Sequence, residues 1–129
     1  MGGMNTAVMM TLQTDTVSWN PDLALSRLDG DAQLLTSVIA LMRTVLMRDQ
    51  PVLMQCIETR DFMGIRQLTH AQLPSLKILG FDAPAQVFEV FESVALMSDW
   101  QACERMMHSI AALWTAIIEA LGQRSQTQD

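Results

Sequence analysis

This chain of 129 residues is poor in several residue types, and each scarcity excludes a class of protein. Only eight lysines and arginines stand against 14 acidic residues, and the net charge of −6 argues against a nucleic-acid partner because phosphate binding needs clustered cations. Tyrosine is absent and no segment alternates with a period of two, so strands are not expected. No apolar run approaches the roughly 18 residues that cross a membrane. We therefore expect a soluble, all-helical protein that does not enter a membrane.

Cysteine and histidine are equally scarce, with two of each. Cys56 and Cys103 lie among apolar helical neighbours, which favours buried free thiols over a disulfide and suits a cytoplasmic protein. The four residues are too widely spread for a zinc site. No glycine-rich phosphate loop occurs, which excludes an ATP site and with it a complete kinase. The sequence therefore predicts neither a metal nor a cofactor.

The length allows one domain with a core of its own and is too short for two. Residues 1–18 have no periodicity and no basic flank before an apolar run, so we expect a disordered lead-in there and not a signal peptide. The polar tail 123–129 is expected to fray. The predicted domain spans residues 19–122.

Capping residues and apolar spacing predict a short helix followed by a long one. Asn20 before Pro21 is typical of a helix start, and Asp29-Gly30 indicates where that helix stops. Asp31 then caps a longer helix whose apolar residues recur at intervals of three and four. Pro51 interrupts this pattern, which continues either as a kinked helix or as a following one.

Two further helices are predicted near the carboxyl terminus. Apolar residues mark one from Ala83 to Met97, and a longer pattern begins at Trp100 after a cap at Ser98 or Asp99. Long helices with short connections fold most simply as an up-down bundle. We therefore expect an all-α, up-down four-helix bundle with the short N-terminal helix across one end.

Between these segments lies a helix that carries His70, with Asp61 as its cap and Gly80 at its end. With roughly 100° per residue, His70 falls about 140° from the centre of the apolar stripe, which places its imidazole in solvent. The stripe consists of Phe62, Ile65, Leu68, Gln72, Leu76 and Leu79. The outer side around His70 holds Met63, Arg66, Gln67, Pro74 and Lys77. Without further context, His70 is an ordinary surface histidine.

Several short sequences occur in the order of a known domain family. Leu25-Ser-Arg-Leu28 precedes Gly30-Asp31, Asp61 stands nine residues before His70, and Leu79-Gly80 follows it. Glu92, with Asp99 seven residues later, matches the turn between the last two helices. Together these elements resemble the histidine-containing phosphotransfer domain, over nearly the whole predicted domain.

The resemblance implies a function for His70. In this family the histidine accepts a phosphoryl group from an aspartyl phosphate and passes it to an aspartate of another receiver domain. His70 would thus be the phosphoacceptor of a multistep two-component relay. The implied partner is a response-regulator receiver domain, with a hybrid sensor histidine kinase as a second candidate. Such a chain is a stoichiometric phosphocarrier and not an enzyme.

The sequence departs from the family pattern after the histidine. The family carries lysine three residues on and glycine four residues on, where this chain has Leu73 and Pro74. That lysine helps to neutralise the phosphoryl group, and the glycine lets the receiver approach. Pro74 lacks an N–H and its ring meets the carbonyl of His70, so we expect the helix to bend there. The alternative is a module that docks a receiver or kinase without transferring phosphate.

Arg66 and Lys77 are the cations available to replace the missing lysine. Arg66 lies one turn before His70, whereas Lys77 lies two turns after His70, about 10.5 Å from it along the helix axis. We predict Arg66 as the substitute, and a phosphate and receiver docking surface that consists of Arg66, Gln67, Leu73, Pro74 and Lys77. The apolar members of this side are either a docking patch or ordinary scattered surface residues. His108 is assigned a packing or surface role.

Overall fold

A computed structural model describes Val17 and residues 19–127, with side chains through residue 123. The predicted lead-in therefore lies almost entirely outside the described residues. Five α-helices and no strand occur in the described part, which confirms the all-α class. They are α1 (Pro21–Arg27), α2 (Ala32–Glu58), α3 (Phe62–Ile78), α4 (Asp82–Leu96) and α5 (Trp100–Thr127). Helix α5 continues past residue 122, where the sequence predicts the end of the domain.

The long helices contact one another in a closed ring. Helix α2 packs against α3 and α5, and α4 packs against the same two helices. The short helix α1 contacts α2 and buries Ala24 completely. Trp114 of α5 is fully buried between these helices, and its indole N–H donates a hydrogen bond of 2.9 Å to the carbonyl of Leu46. The ring of contacts encloses a single apolar core.

Side-chain caps start four of the five helices at the positions that the sequence indicates. Each cap oxygen accepts a hydrogen bond from the backbone N–H three residues later, one of the amides that a helix start leaves unpaired. The cap residues are Asn20, Asp31, Asp61 and Asp99, with distances of 2.9–3.1 Å. Helix α4 has no such cap. Each cap depends only on residues close to it along the chain. Asp61, the cap of α3, lies nine residues before His70.

Gly80 ends α3 in the left-handed conformation, with φ of +81°. Its amide bonds to the carbonyl of Lys77 at 3.2 Å, and the amide of Phe81 bonds to the carbonyl of Leu76 at 2.9 Å. This pair of bonds is the Schellman motif, which satisfies the last carbonyls of a helix. A Cβ at Gly80 would lie 2.8 Å from the carbonyl oxygen of Asn20. Glycine is therefore required both by the backbone angle and by the close approach.

Both predicted interruptions by proline lie inside continuous helices. Pro51 lies within α2 and Pro74 within α3, and both rings are exposed. The segments on either side of Pro51 thus form one helix and not two. Because Pro74 has no N–H, the carbonyl of His70 lacks its usual donor four residues on. Helix α3 nevertheless continues without a break to Ile78.

Candidate functional site

The imidazole of His70 lies on the side of α3 that faces α4. Its side chain is 63% exposed, as the sequence predicts, and its Nδ1 is 2.9 Å from Oε1 of Glu92 and 3.0 Å from Oε2. Glu92 is only 17% exposed, so the carboxylate is held in place by its surroundings. The distance is typical of a charge-assisted hydrogen bond. The outer face of α3 thus presents a histidine with one ring nitrogen already bound.

The contact with Glu92 defines the tautomer of the neutral ring. An ionised carboxylate can only accept hydrogen bonds, so we assign the ring proton to Nδ1. In a neutral imidazole the other nitrogen, Nε2, then carries the lone pair. His70 is therefore oriented as a nucleophile or ligand through Nε2, the nitrogen that Glu92 does not bind.

Arg66 binds the same carboxylate as His70. Its Nη2 lies 3.6 Å from Oε1 of Glu92, and its side chain is 24% exposed. Its Nε is buried and has no hydrogen-bond partner among the described residues. Arg66 thus lies on the predicted outer side of α3 but is only partly exposed, because its guanidinium lies against Glu92 of α4. Arg66 balances the charge of Glu92 and is not a free cation at the surface.

Lys77 is also engaged by an acidic residue of α4. Its Nζ lies 3.1 Å from Oε2 of Glu89, and both side chains are about half exposed. An ion pair at this exposure is weak, so Lys77 is easily released to another anion. Gln67 and Pro74, two other members of the predicted docking surface, are exposed. These residues thus lie on the surface of the helix that carries His70.

Leu73 is a member of the predicted docking surface that the structure places elsewhere. It is buried, and it belongs to the apolar core. The buried face of α3 is wider than the predicted stripe, because the helix packs against α2 on one side and α4 on the other. Thr69 and Leu73 both join this face, while Leu68 is only half-buried. Met63 and Pro74 remain as the apolar residues on the outer side.

Gln72 is buried on the core side of α3 and finds an acceptor on α2. Its Nε2 donates to Oδ2 of Asp49 at 3.4 Å, and Asp49 also bonds to Arg48. The neighbouring Thr69 donates to the backbone carbonyl of Arg66 at 3.0 Å. Buried polar groups need such partners, so this second network is structural. It lies on the α2 side of the helix, away from His70.

The two cysteines are free thiols, Cys103 buried and Cys56 half-buried. Burial raises the pKa of both thiols, and the negative charge of Asp61 raises the pKa of Cys56 further. Both are therefore poor nucleophiles at neutral pH. In the part of the chain that the structure describes, no group of metal-ligating side chains comes together, and no helix is long and apolar enough to cross a membrane. His108 is exposed on α5.

Glu92 and Glu89 are the site residues that sequence reasoning missed. The sequence pattern marks Glu92 only as part of the turn between the last two helices, and it does not distinguish Glu89 from other surface residues. The signal was present as complementary charge: two acidic residues three positions apart on α4, and Arg66, His70 and Lys77 on one side of α3. The ion pairs between these residues can be recognised only when α3 and α4 are known to be adjacent.

Comparison of the chain with models of protein families, with curated proteins and with solved structures gives no significant match.

Proposed function

We propose that this protein is a histidine phosphotransfer module of a multistep two-component signalling relay, in which His70 carries a phosphoryl group between receiver-domain aspartates. The observation that carries the proposal is the exposed imidazole whose Nδ1 is bound by Glu92. This arrangement leaves Nε2 as a solvent-facing nucleophile without any catalytic triad. The module is a stoichiometric carrier that works in the cytoplasm.

The proposal includes the arrangement of the helices as an up-down four-helix bundle formed by α2 to α5. The connections at residues 59–61, 79–81 and 97–99 are short, which favours antiparallel neighbours. The closed ring of helix contacts agrees with such a bundle.

In the transfer step, the Nε2 lone pair of His70 attacks the phosphorus of an aspartyl phosphate. A P–N bond forms as the P–O bond to the aspartate breaks, and the aspartate leaves as a carboxylate. The phosphorylated ring keeps its Nδ1 proton and becomes cationic, so the carboxylate of Glu92 stabilises it across 2.9 Å. Attack by a second aspartate reverses the step. The partner supplies the activated phosphoryl group, which explains how the chain can work without an ATP site.

Arg66 has a defined task in this scheme. A phosphoryl group brings roughly two negative charges, and Glu92 adds a third nearby. The guanidinium of Arg66, 3.6 Å from Glu92, offsets part of this charge. It therefore reduces the repulsion between Glu92 and the incoming phosphoryl group. Lys77, held only by an exposed pair with Glu89, can supply a second positive charge to the docked partner.

The alternative is a phosphotransfer-deficient module that binds a receiver or kinase and regulates it. The specific observation in its favour is that Leu73, at the position of the family's lysine, is buried in the core. No cation then stands one turn after His70, and Pro74 occupies the position where the family has glycine. Docking does not need the missing lysine, whereas transfer needs another cation in its place.

Incubation with receiver domains that carry a radioactive aspartyl phosphate tests both functions. A working carrier takes up label that is acid-labile and base-stable, as a phosphoramidate is. His70→Gln abolishes the uptake, and His108→Gln, which alters an exposed histidine on α5, leaves it intact. Binding of a receiver without uptake supports the docking module. If no receiver in a panel transfers label to the chain and none binds it, the proposal is refuted.

A further inference from the structure

Helix α2 carries a second apolar stripe besides the one that it buries in the core. Leu34, Leu41 and Val52 are 43%, 65% and 49% exposed, and Val38 and Val45 between them are half-buried. These five residues, hereafter the α2 stripe, follow one another at intervals of four, three, four and seven. At about 100° per residue they fall within about 60° of one another around the helix. Such spacing is the heptad pattern by which one helix packs along another.

The α2 stripe lies apart from the His70 site. It borders the groove between α2 and α3, of about 320 Å³, in which Val38, Leu41 and Val45 face Ala71 and Ser75 of α3. His70 instead contacts α4, on the opposite side of α3. Arg48, Asp49 and Gln72 also line this groove, so its polar end lies at the carboxyl-terminal part of the stripe. The proposed phosphotransfer therefore makes no use of this surface.

The outer face of α2 is also free of charge over most of its length. Between Asp31 and Arg48 the only charged residue is Arg43, which lies against Gly122 of α5 and not beside the stripe. In a chain of net charge −6, an uncharged face is the place where two copies can approach with the least repulsion. Depletion of charge is also what distinguishes the centre of protein interfaces from the remaining surface.

We propose that the α2 stripe is a self-association surface on which α2 of a second copy packs in the antiparallel direction. Antiparallel packing about a two-fold axis brings Leu41 against Val45 of the second copy, and Leu34 against Val52. It also places Arg48, which continues the heptad, against Val38. Parallel packing would bring the two copies of Arg48 together. Repulsion between these arginines is the reason to prefer the antiparallel arrangement.

The size of the surface predicts a weak dimer. From Leu34 to Val52 the stripe is about 27 Å long, and a helix face is roughly 10 Å wide, which gives on the order of 300 Å² on each protomer. Stable interfaces bury at least about 1,200 Å² in total. We therefore expect association that depends on concentration, with monomers dominant at low micromolar concentration.

We would measure the mass of the full chain by sedimentation equilibrium from about 10 μM to about 1 mM, the range of weak association. The mass of the wild type should rise from one chain towards two. Leu41→Glu should stay monomeric, because a dimer would bury its charge. Met97→Glu is the matched control, since Met97 is 79% exposed but lies at the end of α4. It should associate like the wild type.

The double variant Leu41→Lys/Val45→Glu tests the direction of packing. In the antiparallel dimer each new lysine faces a new glutamate of the second copy, so self-association should return, whereas Leu41→Lys alone should abolish it. Circular dichroism checks that each variant is folded. A wild type that is monomeric at every concentration, or association unaffected by Leu41→Glu, overturns the proposal. The proposal is also overturned if Leu41→Glu is monomeric but less stable to unfolding than the wild type. Leu41 would then pack against other residues of its own chain and not against a second copy.

Discussion

The pairing of Glu92 with His70 leads to a prediction about the rate of phosphotransfer. In Glu92→Gln the amide oxygen still accepts from Nδ1, so the tautomer of His70 is retained while the negative charge is lost. Hydrogen bonds to charged groups contribute about 1.5–3 kcal/mol and neutral ones about 0.5–1.5 kcal/mol. Because Glu92 is only 17% exposed, solvent screens the pair incompletely. The loss is thus about 1 kcal/mol of stabilisation of the phosphorylated, cationic ring.

Because the transition state carries at most the full charge of the phosphorylated ring, a loss of about 1 kcal/mol slows transfer to His70 by up to about five-fold. Glu92→Leu removes the acceptor altogether, so both tautomers of the neutral ring become populated and the rate should fall further. The rate is measured from the uptake of label from a phosphorylated receiver. The ring tautomer is measured independently, from the nitrogen chemical shifts of His70. Glu89→Gln is the matched control, because Glu89 pairs with Lys77 and does not contact His70.

Two results would refute this reasoning. If Glu92→Leu leaves the ring nitrogens of His70 unchanged, Glu92 does not define the tautomer. If the tautomer shifts but the uptake of label keeps its wild-type rate, Nε2 is not the nitrogen that reacts. Unfolding of the variants is excluded by their helical circular dichroism and by comparing their thermal midpoints with that of the control.

Three further predictions concern stability and thiol chemistry. Gly80→Ala should destabilise the fold by at least about 1–2 kcal/mol, because alanine disfavours the left-handed backbone angle and its Cβ would meet the carbonyl oxygen of Asn20. A thermal midpoint equal to that of the wild type would contradict this prediction. Pro74→Ala should stabilise the fold by roughly 1–3 kcal/mol, since the new N–H reaches the carbonyl of His70. An unchanged midpoint in denaturant would show that the proline is accommodated without cost. Asp61→Asn keeps a capping oxygen but removes the negative charge that raises the pKa of Cys56. The thiol of Cys56 should therefore react faster with a disulfide reagent at pH 8. An unchanged rate would show that burial alone raises the pKa of Cys56.

The local features of the fold could be predicted from the sequence because they depend on neighbours along the chain. A cap such as Asp61 bonds to an amide three residues later, and Gly80 closes a helix end through bonds that span a single turn. The exposure of His70 follows from the same short range, since the helical repeat alone separates it from the apolar stripe. These contacts need no knowledge of how the helices pack.

Only the tertiary structure decided which groups surround His70. The apolar spacing of α3 shows where its buried face is centred but not how wide it is, and the second neighbouring helix is what buries Leu73. The axial alignment of α3 and α4 brings Glu92 next to both His70 and Arg66. The guanidinium of Arg66 therefore pairs with the carboxylate of Glu92. Such alignment depends on side chains far apart in the chain that pack together. The sequence alone therefore determined that His70 lies on the exposed side of its helix, and the packing of the helices determined which of its ring nitrogens Glu92 binds.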